Sequence, residues 1–107
     1  MTTIPLVDLL SLSGALFALG VFGVLTRRNF ILILISVEVI MNAAILNFIA
    51  FSLFSPGPAA GGIPGQSIAV ILIGLAATEV AVGLAIVLAL NRLRGTLNVA
   101  EAIQLKL

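Results

Sequence analysis

Two glutamates, Glu38 and Glu79, each lie near the middle of a long apolar stretch, in a chain where only 8% of residues are charged. A charged group at the centre of a bilayer costs about 2.5–3.5 kcal/mol on insertion scales, so such residues mark functional sites by default. Two of them in so short a chain indicate movement of protons or cations through a membrane. The alternative is that both acids stay protonated and only hydrogen-bond a neighbouring helix.

Uncharged polar side chains accompany the two acids. They are Ser36, Asn42, Asn47 and Thr78. Hydroxyl and amide groups can hydrogen-bond a carboxyl group or hold water beside it. Taken singly, each is more often a hydrogen-bonding contact between helices than part of a proton path.

The composition is that of an integral membrane protein. Hydrophobic residues make up 62% of the 107 residues and the mean hydropathy is +1.36, against roughly 45–50% apolar residues in soluble domains. The chain has no Cys and no His, which excludes disulfides, thiolate clusters, haem ligation by His and the usual zinc sites. A net charge of +1 gives no indication of nucleic-acid binding.

Three apolar runs cover about 6–25, 30–54 and 68–90, and each is near the ~20 residues needed to cross hydrocarbon. We therefore predict an all-α membrane protein with three transmembrane helices in a single domain, residues 1–107. The first run lacks a basic segment before it and is followed by Arg27 and Arg28, so it is interpreted as a retained span and not a signal peptide.

The basic residues predict the orientation. They follow the first span or the third: Arg27, Arg28, Arg92, Arg94 and Lys106. The positive-inside rule then places the N-terminus outside and the C-terminus in the cytoplasm. The second connector, residues 55–66, holds three Pro and four Gly and no charge, which predicts an outer loop.

The tail, residues 95–107, spaces Val99, Ile103 and Leu107 four residues apart. This spacing predicts a short amphipathic helix on the membrane surface or against a partner. Arg27 and Arg28 have two interpretations, an anchor on the inner side of the membrane or a contact with a partner's loop or anionic lipid.

The depth of the two acids favours a relay. Glu38 lies about 12 Å and Glu79 about 16 Å from the cytoplasmic end of its span, at 1.5 Å of rise per residue. Neighbouring helices pack with axes about 8–10 Å apart. Inward-facing carboxyl groups at such similar depths can exchange a proton directly or through one or two waters.

Several motifs in order resemble one family, subunit K of proton-pumping NADH:quinone oxidoreductase (respiratory complex I). They are Gly20-Val-Phe-Gly23, Thr26-Arg-Arg-Asn29, Ser36-Val-Glu-Val-Ile-Met-Asn-Ala43, Gly65-Gln66 and Ala76-Ala-Thr-Glu-Val-Ala-Val-Gly-Leu-Ala-Ile86. Together they cover nearly the whole chain, with both acids in their expected spans.

The resemblance implies that Glu38 and Glu79 are intramembrane proton-path residues and that Arg27 and Arg28 form a functional basic pair in the cytoplasmic loop. It implies no cofactor in this chain, with NADH, FMN, iron–sulfur clusters and quinone in partner subunits. The implied partners are the antiporter-like and quinone-channel subunits of complex I and the lipid bilayer. The implied location is the inner (plasma) membrane, or an equivalent energy-transducing membrane, as a multi-pass protein.

Other functions remain open at this point. One is the related small subunit of a multisubunit cation/proton antiporter, and another is a purely structural or assembly subunit. An ATP synthase rotor subunit normally has two helices and one essential acid, whereas this chain has three apolar runs and two acids. A multidrug exporter typically has four spans and an aromatic-lined cavity, and this chain has no Trp or Tyr.

Overall fold

The computed structural model describes residues 4–54 and 63–104. It contains four helices, α1 (Leu6–Thr26), α2 (Phe30–Phe54), α3 (Ile63–Arg94) and α4 (Val99–Gln104). The first three are long and apolar enough to cross a membrane. Within the described residues, extended pairing is limited to one antiparallel bridge between Asn29 and Asn98. The predicted all-α fold with three membrane helices is confirmed.

The connector between α1 and α2 is only three residues long, 27–29. The Arg27 N–H closes α1 by donating to the Gly23 carbonyl at 3.0 Å. The Asn29 Oδ1 accepts the Ile31 N–H at 2.9 Å, the usual way in which an asparagine caps the first turn of a helix. Both ends of this connector are therefore fixed by local hydrogen bonds.

Helix α3 begins at Ile63, so Pro64 to Gln66 belong to its first turn and not to the connector predicted at residues 55–66. Proline suits this position because the first N–H groups of a helix have no acceptor within it, and its ring fixes a helical φ. The rest of that connector, residues 55–62, lies outside the described residues, as do residues 105–107 of the predicted amphipathic tail. The helix found in the tail is α4.

Helix α2 is central, because the substantial helix contacts are those of α2 with α1 and of α2 with α3. Small residues allow the close approach of α1. A Cβ atom at Gly20 would lie 2.9 Å from the Ser36 carbonyl oxygen, and one at Gly23 would collide with the Ser36 hydroxyl. The buried Ser13 hydroxyl donates to the Ala43 carbonyl at 2.9 Å.

On its other side, α2 meets a line of small residues on α3. A Cβ atom at Gly83 would lie 2.7 Å from Leu34 Cδ1, and one at Gly65 would collide with the Ser52 side chain. Ala69 and Ala76 are both buried on the same face of α3. Because glycine and alanine let two backbones approach closely in a membrane, these residues determine which face of α3 turns toward α2.

Candidate functional site

Glu38 lies in a cavity between α2 and α3. The cavity has a volume of about 220 Å³, and its lining consists of Ile31, Leu34, Ile35, Glu38, Val39, Val80 and Leu84. Glu38 is half-buried and supplies the one polar side chain of this lining. The volume exceeds the 10–15 Å³ or so that a single water needs. This space is an open groove and not a closed cavity, and its exposed lining is almost wholly apolar. The half-buried Glu38 side chain therefore borders an aliphatic groove that is large enough for water.

Glu79 does not share that cavity. It is exposed on the surface of the chain, although the next residue, Val80, lines the cavity of Glu38. Successive residues of a helix are 100° apart, so Glu79 leaves α3 from the flank of the surface that faces α2. Glu38 is thus half-buried between two helices, and Glu79 is turned outward beside the same wall.

The hydroxyl groups of Ser36 and Thr78 bond to the helix backbone. Ser36 donates to the Leu32 carbonyl at 2.8 Å, and Thr78 donates to the Leu75 carbonyl at 2.6 Å. Serine and threonine in helices commonly back-bond in this way. Neither hydroxyl proton is directed at a glutamate, and Ser36 lies against α1 at Gly23.

The two asparagines predicted to support Glu38 lie in different surroundings. Asn42 is exposed, whereas Asn47 is half-buried and its Oδ1 is buried without a hydrogen-bond partner in the part of the chain that the structure describes. Asn47 lines a second cavity, of about 400 Å³, with Ser13 and Gly14 of α1. Buried amide oxygens normally have a hydrogen-bond donor, and the cavity beside Asn47 has room for water. Ser13 in this cavity was not among the predicted residues, and an isolated serine in an apolar run carries no distinctive sequence signal.

Arg27 and Arg28 are both exposed in the three-residue connector. Their backbone is held by the far end of the chain. The Val99 N–H donates to the Arg28 carbonyl at 2.8 Å, and the Phe30 N–H donates to the Leu97 carbonyl at 2.9 Å. The sequence contains no local pattern that connects residues 97–99 with the basic pair, because backbone pairing between distant segments does not require particular side chains.

The sequence of this chain matches a known protein family. Residues 8–106 match the family model of NADH-ubiquinone/plastoquinone oxidoreductase chain 4L. The chain belongs to this family. The matched range includes both acids, the basic connector and α4, so the whole of the candidate site lies within the chain 4L match.

Individual relatives are similar in sequence to this chain over most of their length. The chain is 48% identical over 94 residues to the NADH-quinone oxidoreductase subunit K of Desulfitobacterium hafniense, covering 86% of each chain. It is 47% identical over 103 residues to that of Deinococcus radiodurans, covering 96% of this chain and 95% of the relative. It is 42% identical over 106 residues to that of Bacillus anthracis, covering 99% of each. The resemblance inferred from the motifs is confirmed.

Proposed function

We propose that this chain is the subunit K of an NADH-quinone oxidoreductase and that protons cross it through Glu38 and Glu79. The family and its named relatives support the first part. The second part rests on one observation, the half-buried Glu38 beside the space between two membrane helices, where it is the one ionisable residue of an aliphatic lining. A carboxyl group that has room for water in an aliphatic surrounding can take up a proton and release it again.

The different positions of the two acids assign them different parts of the path. Glu38 is the internal carrier, because it is half-buried beside the space between α2 and α3. Glu79 is exposed on α3, so it exchanges protons with a neighbouring subunit. Val80, the residue after Glu79, forms part of the wall beside Glu38. The path therefore enters or leaves the chain on the flank of α3.

The remaining predicted residues have supporting roles in this proposal. Asn47 and Asn42 bind water or a partner's polar group on α2, and Ser36 and Thr78 shape the helices that carry the acids. Arg27 and Arg28 interact with groups outside the chain, because both side chains are exposed and neither forms an ion pair within the described ranges 4–54 and 63–104. The partners on these surfaces are the antiporter-like and quinone-channel subunits.

The redox chemistry belongs to other subunits of the complex. Among the described residues, no group of three or more His, Cys, Asp or Glu side chains could hold a metal ion, and the family is that of a small membrane subunit. From the family membership we place NADH, FMN, the iron–sulfur clusters and quinone in partner subunits, and the complex in the inner (plasma) membrane or an equivalent membrane. The chain itself catalyses no bond-breaking step.

The test is proton pumping coupled to NADH:quinone electron transfer in membranes that carry Glu38→Gln or Glu79→Gln. Glutamine keeps the shape of the side chain but cannot carry the proton. We expect both rates to fall by about 100-fold, the low end of what a positioned proton carrier contributes, with the larger loss for Glu38→Gln. Assembly of the complex is measured on the same samples.

Asp8→Asn is the matched control, because Asp8 is an exposed acid in the first turn of α1 and the same carboxyl-to-amide change there removes no proposed carrier. A double variant, Glu38→Gln with Glu79→Gln, that assembles and pumps like the parent would show that the acids are packing elements of a structural subunit.

A further inference from the structure

We propose that the C-terminal segment, residues 95–104, positions the basic pair Arg27 and Arg28 for function. This segment is called the strap below. The proposal rests on the proposed function, since it concerns how the same subunit holds its cytoplasmic loop. It comes from two backbone hydrogen bonds between parts of the chain about seventy residues apart, Phe30 N–H to the Leu97 carbonyl and Val99 N–H to the Arg28 carbonyl.

The two hydrogen bonds use donors that would otherwise have no acceptor. Phe30 is the first residue of α2 and Val99 is the first residue of α4. The N–H groups at the start of a helix have no partner inside it. The Leu97 carbonyl therefore accepts a hydrogen bond from the start of α2, and the Arg28 carbonyl accepts one from the start of α4. Asn29 and Asn98 are paired between these two hydrogen bonds.

The strap is itself fixed on both sides of the bridge. The Asn98 Oδ1 accepts the Ala100 N–H at 2.9 Å, as the Asn29 Oδ1 accepts the Ile31 N–H in the loop. The Thr96 hydroxyl donates to the Glu101 carboxylate at 2.6 Å and accepts the Asn98 N–H at 3.0 Å. A segment with this many internal bonds is an organised support and not a loose end of the chain.

The result is a fixed backbone that presents two free side chains. The Arg28 carbonyl is bonded to the strap, and the Arg27 N–H is bonded to Gly23 of α1. Both arginine side chains remain exposed. An arginine fork recognises an acceptor through its direction as well as its charge, so the place of its Cα atom matters. Leu97, Asn98 and Val99 are thus positioning residues that act through the arginines.

Val99→Pro removes one strap hydrogen bond, and its ring also pushes the strap away from the Arg28 carbonyl oxygen, which lies 2.8 Å from the Val99 nitrogen. Proline has no N–H, and its φ suits the first residue of a helix. The residue before it, Asn98, is a helix cap, which normally has the extended conformation that proline favours in its predecessor. Val99→Ala is the matched control, because it shortens the side chain and keeps the N–H. Phe30→Pro with Phe30→Ala gives the same comparison for the second hydrogen bond.

We expect Val99→Pro to lower NADH:quinone turnover of the assembled complex by about tenfold, because misplacing a positioned group by 1 Å can cost up to about 100-fold. Val99→Ala stays within about twofold of the parent, below the effect of a full hydrogen bond. In a background that carries Arg27→Ala and Arg28→Ala, Val99→Pro causes no further loss, because the arginines it positions are gone. Phe30→Pro behaves in the same way relative to Phe30→Ala.

The proposal is overturned if the proline variants match their alanine controls, or if Val99→Pro lowers turnover by the same factor with and without the arginines. It is also overturned if both proline variants fail to assemble while both alanine variants assemble, since the strap would then be a folding element only. The Glu38→Gln result is independent of these outcomes. Full pumping by the glutamine variants together with a loss in Val99→Pro would refute the proton path and leave the strap proposal standing.

Discussion

The surroundings of Glu38 and Glu79 differ more than their similar sequence settings suggest. Glu38 lies among aliphatic side chains from both α2 and α3, whereas Glu79 is exposed. An exposed carboxyl group at membrane depth needs water or a polar partner to be tolerated. The two acids are therefore suited to different exchanges, Glu38 with water inside the chain and Glu79 with a group supplied from outside.

Filling the cavity beside Glu38 tests whether its space is needed. Val80→Phe puts a larger side chain into the cavity wall, so less water fits beside an unchanged carboxyl group. We expect proton pumping by the assembled complex to fall about threefold to tenfold, less than when the carboxyl group itself is removed. Val80→Ala enlarges the same cavity and should leave pumping near the parent rate. If both variants lost the same share of proton pumping, the cause would be damaged packing and not the loss of water beside Glu38.

The sequence predicts the presence and depth of these acids but not the side from which Glu79 leaves its helix. Helix α3 carries two lines of small residues. One faces α2 and includes Gly65, Ala69, Ala76 and Gly83; the other, Gly74, Ala77, Ala81, Ala85 and Ala89, is exposed. Either line could pack against α2 by composition alone, and each choice would give Glu79 a different neighbour. Only the three-dimensional packing decides between them.

At the scale of helices, α1 and α2 approach through residues that leave no room for a further carbon atom. Gly23 faces the Ser36 side chain, whereas Gly14 on the same helix has open space where a Cβ atom would lie. Packing an extra methyl group into a closed contact typically costs about 1–3 kcal/mol. A change from glycine to alanine should therefore lower stability at position 23 but not at position 14.

We expect Gly23→Ala to lower the temperature at which the assembled complex loses this subunit, and Gly14→Ala to leave that temperature unchanged or raise it slightly, since alanine favours helix over glycine. The measurement is the fraction of subunit retained in the complex after heating membranes in steps. Ser36→Gly removes the colliding side chain, so it should rescue Gly23→Ala. Equal heat resistance of the two alanine variants would contradict the close packing of α1 on α2.

The helices themselves are the part of the fold that hydropathy predicts well, because about twenty apolar residues are needed to cross hydrocarbon and few other structures require them. The start of α3 was predicted too late, since Pro64 and Gly65 signal a turn by composition but are also compatible with a helix's first turn. The bridge from Asn98 to Asn29 escaped prediction because it depends on three helices bringing distant backbone atoms together.

For the whole molecule, the surface is larger than a protein of this mass usually has. The accessible surface is 7408 Å², against about 5,600 Å² for a typical water-soluble monomer of the same mass. Many large apolar side chains are exposed, among them Leu25 at 79% and Leu93 at 81%. A surface of this kind is covered by lipid and neighbouring subunits. Within the described residues the substantial helix contacts are those of α2 with α1 and with α3, so much of the surface of α1 and α3 depends on that cover.

The strap also relates the two clusters of basic residues. Because residues 97–99 pair with residues 28–30, the connector that holds Arg27 and Arg28 lies at the same end of the bundle as the C-terminal end of α3, with Arg92 and Arg94. The positive-inside rule then predicts that this end lies in the cytoplasm. Residues 55–62, which connect the opposite ends of α2 and α3, are predicted to lie outside.

Site-specific labelling tests this orientation without interference, because the chain contains no cysteine. Cysteine is introduced as Ala59→Cys in one variant and as Lys106→Cys in another. We expect a membrane-impermeant maleimide to label position 59 in intact cells, and position 106 only after the membrane is opened. The reverse pattern would show that the N-terminus is cytoplasmic.

The strap finally restricts how α2 and α3 can move against each other. At one end of this helix pair the chain runs directly from Phe54 through residues 55–62 to Ile63, and at the other end Leu97 is bonded to Phe30. The two helices are therefore joined by the chain itself at one end and by a backbone hydrogen bond at the other. Separating α2 from the chain that follows α3 at the strap end must break the bond between Phe30 and Leu97, so a movement there would be reported by the hydrogen exchange of the Phe30 N–H.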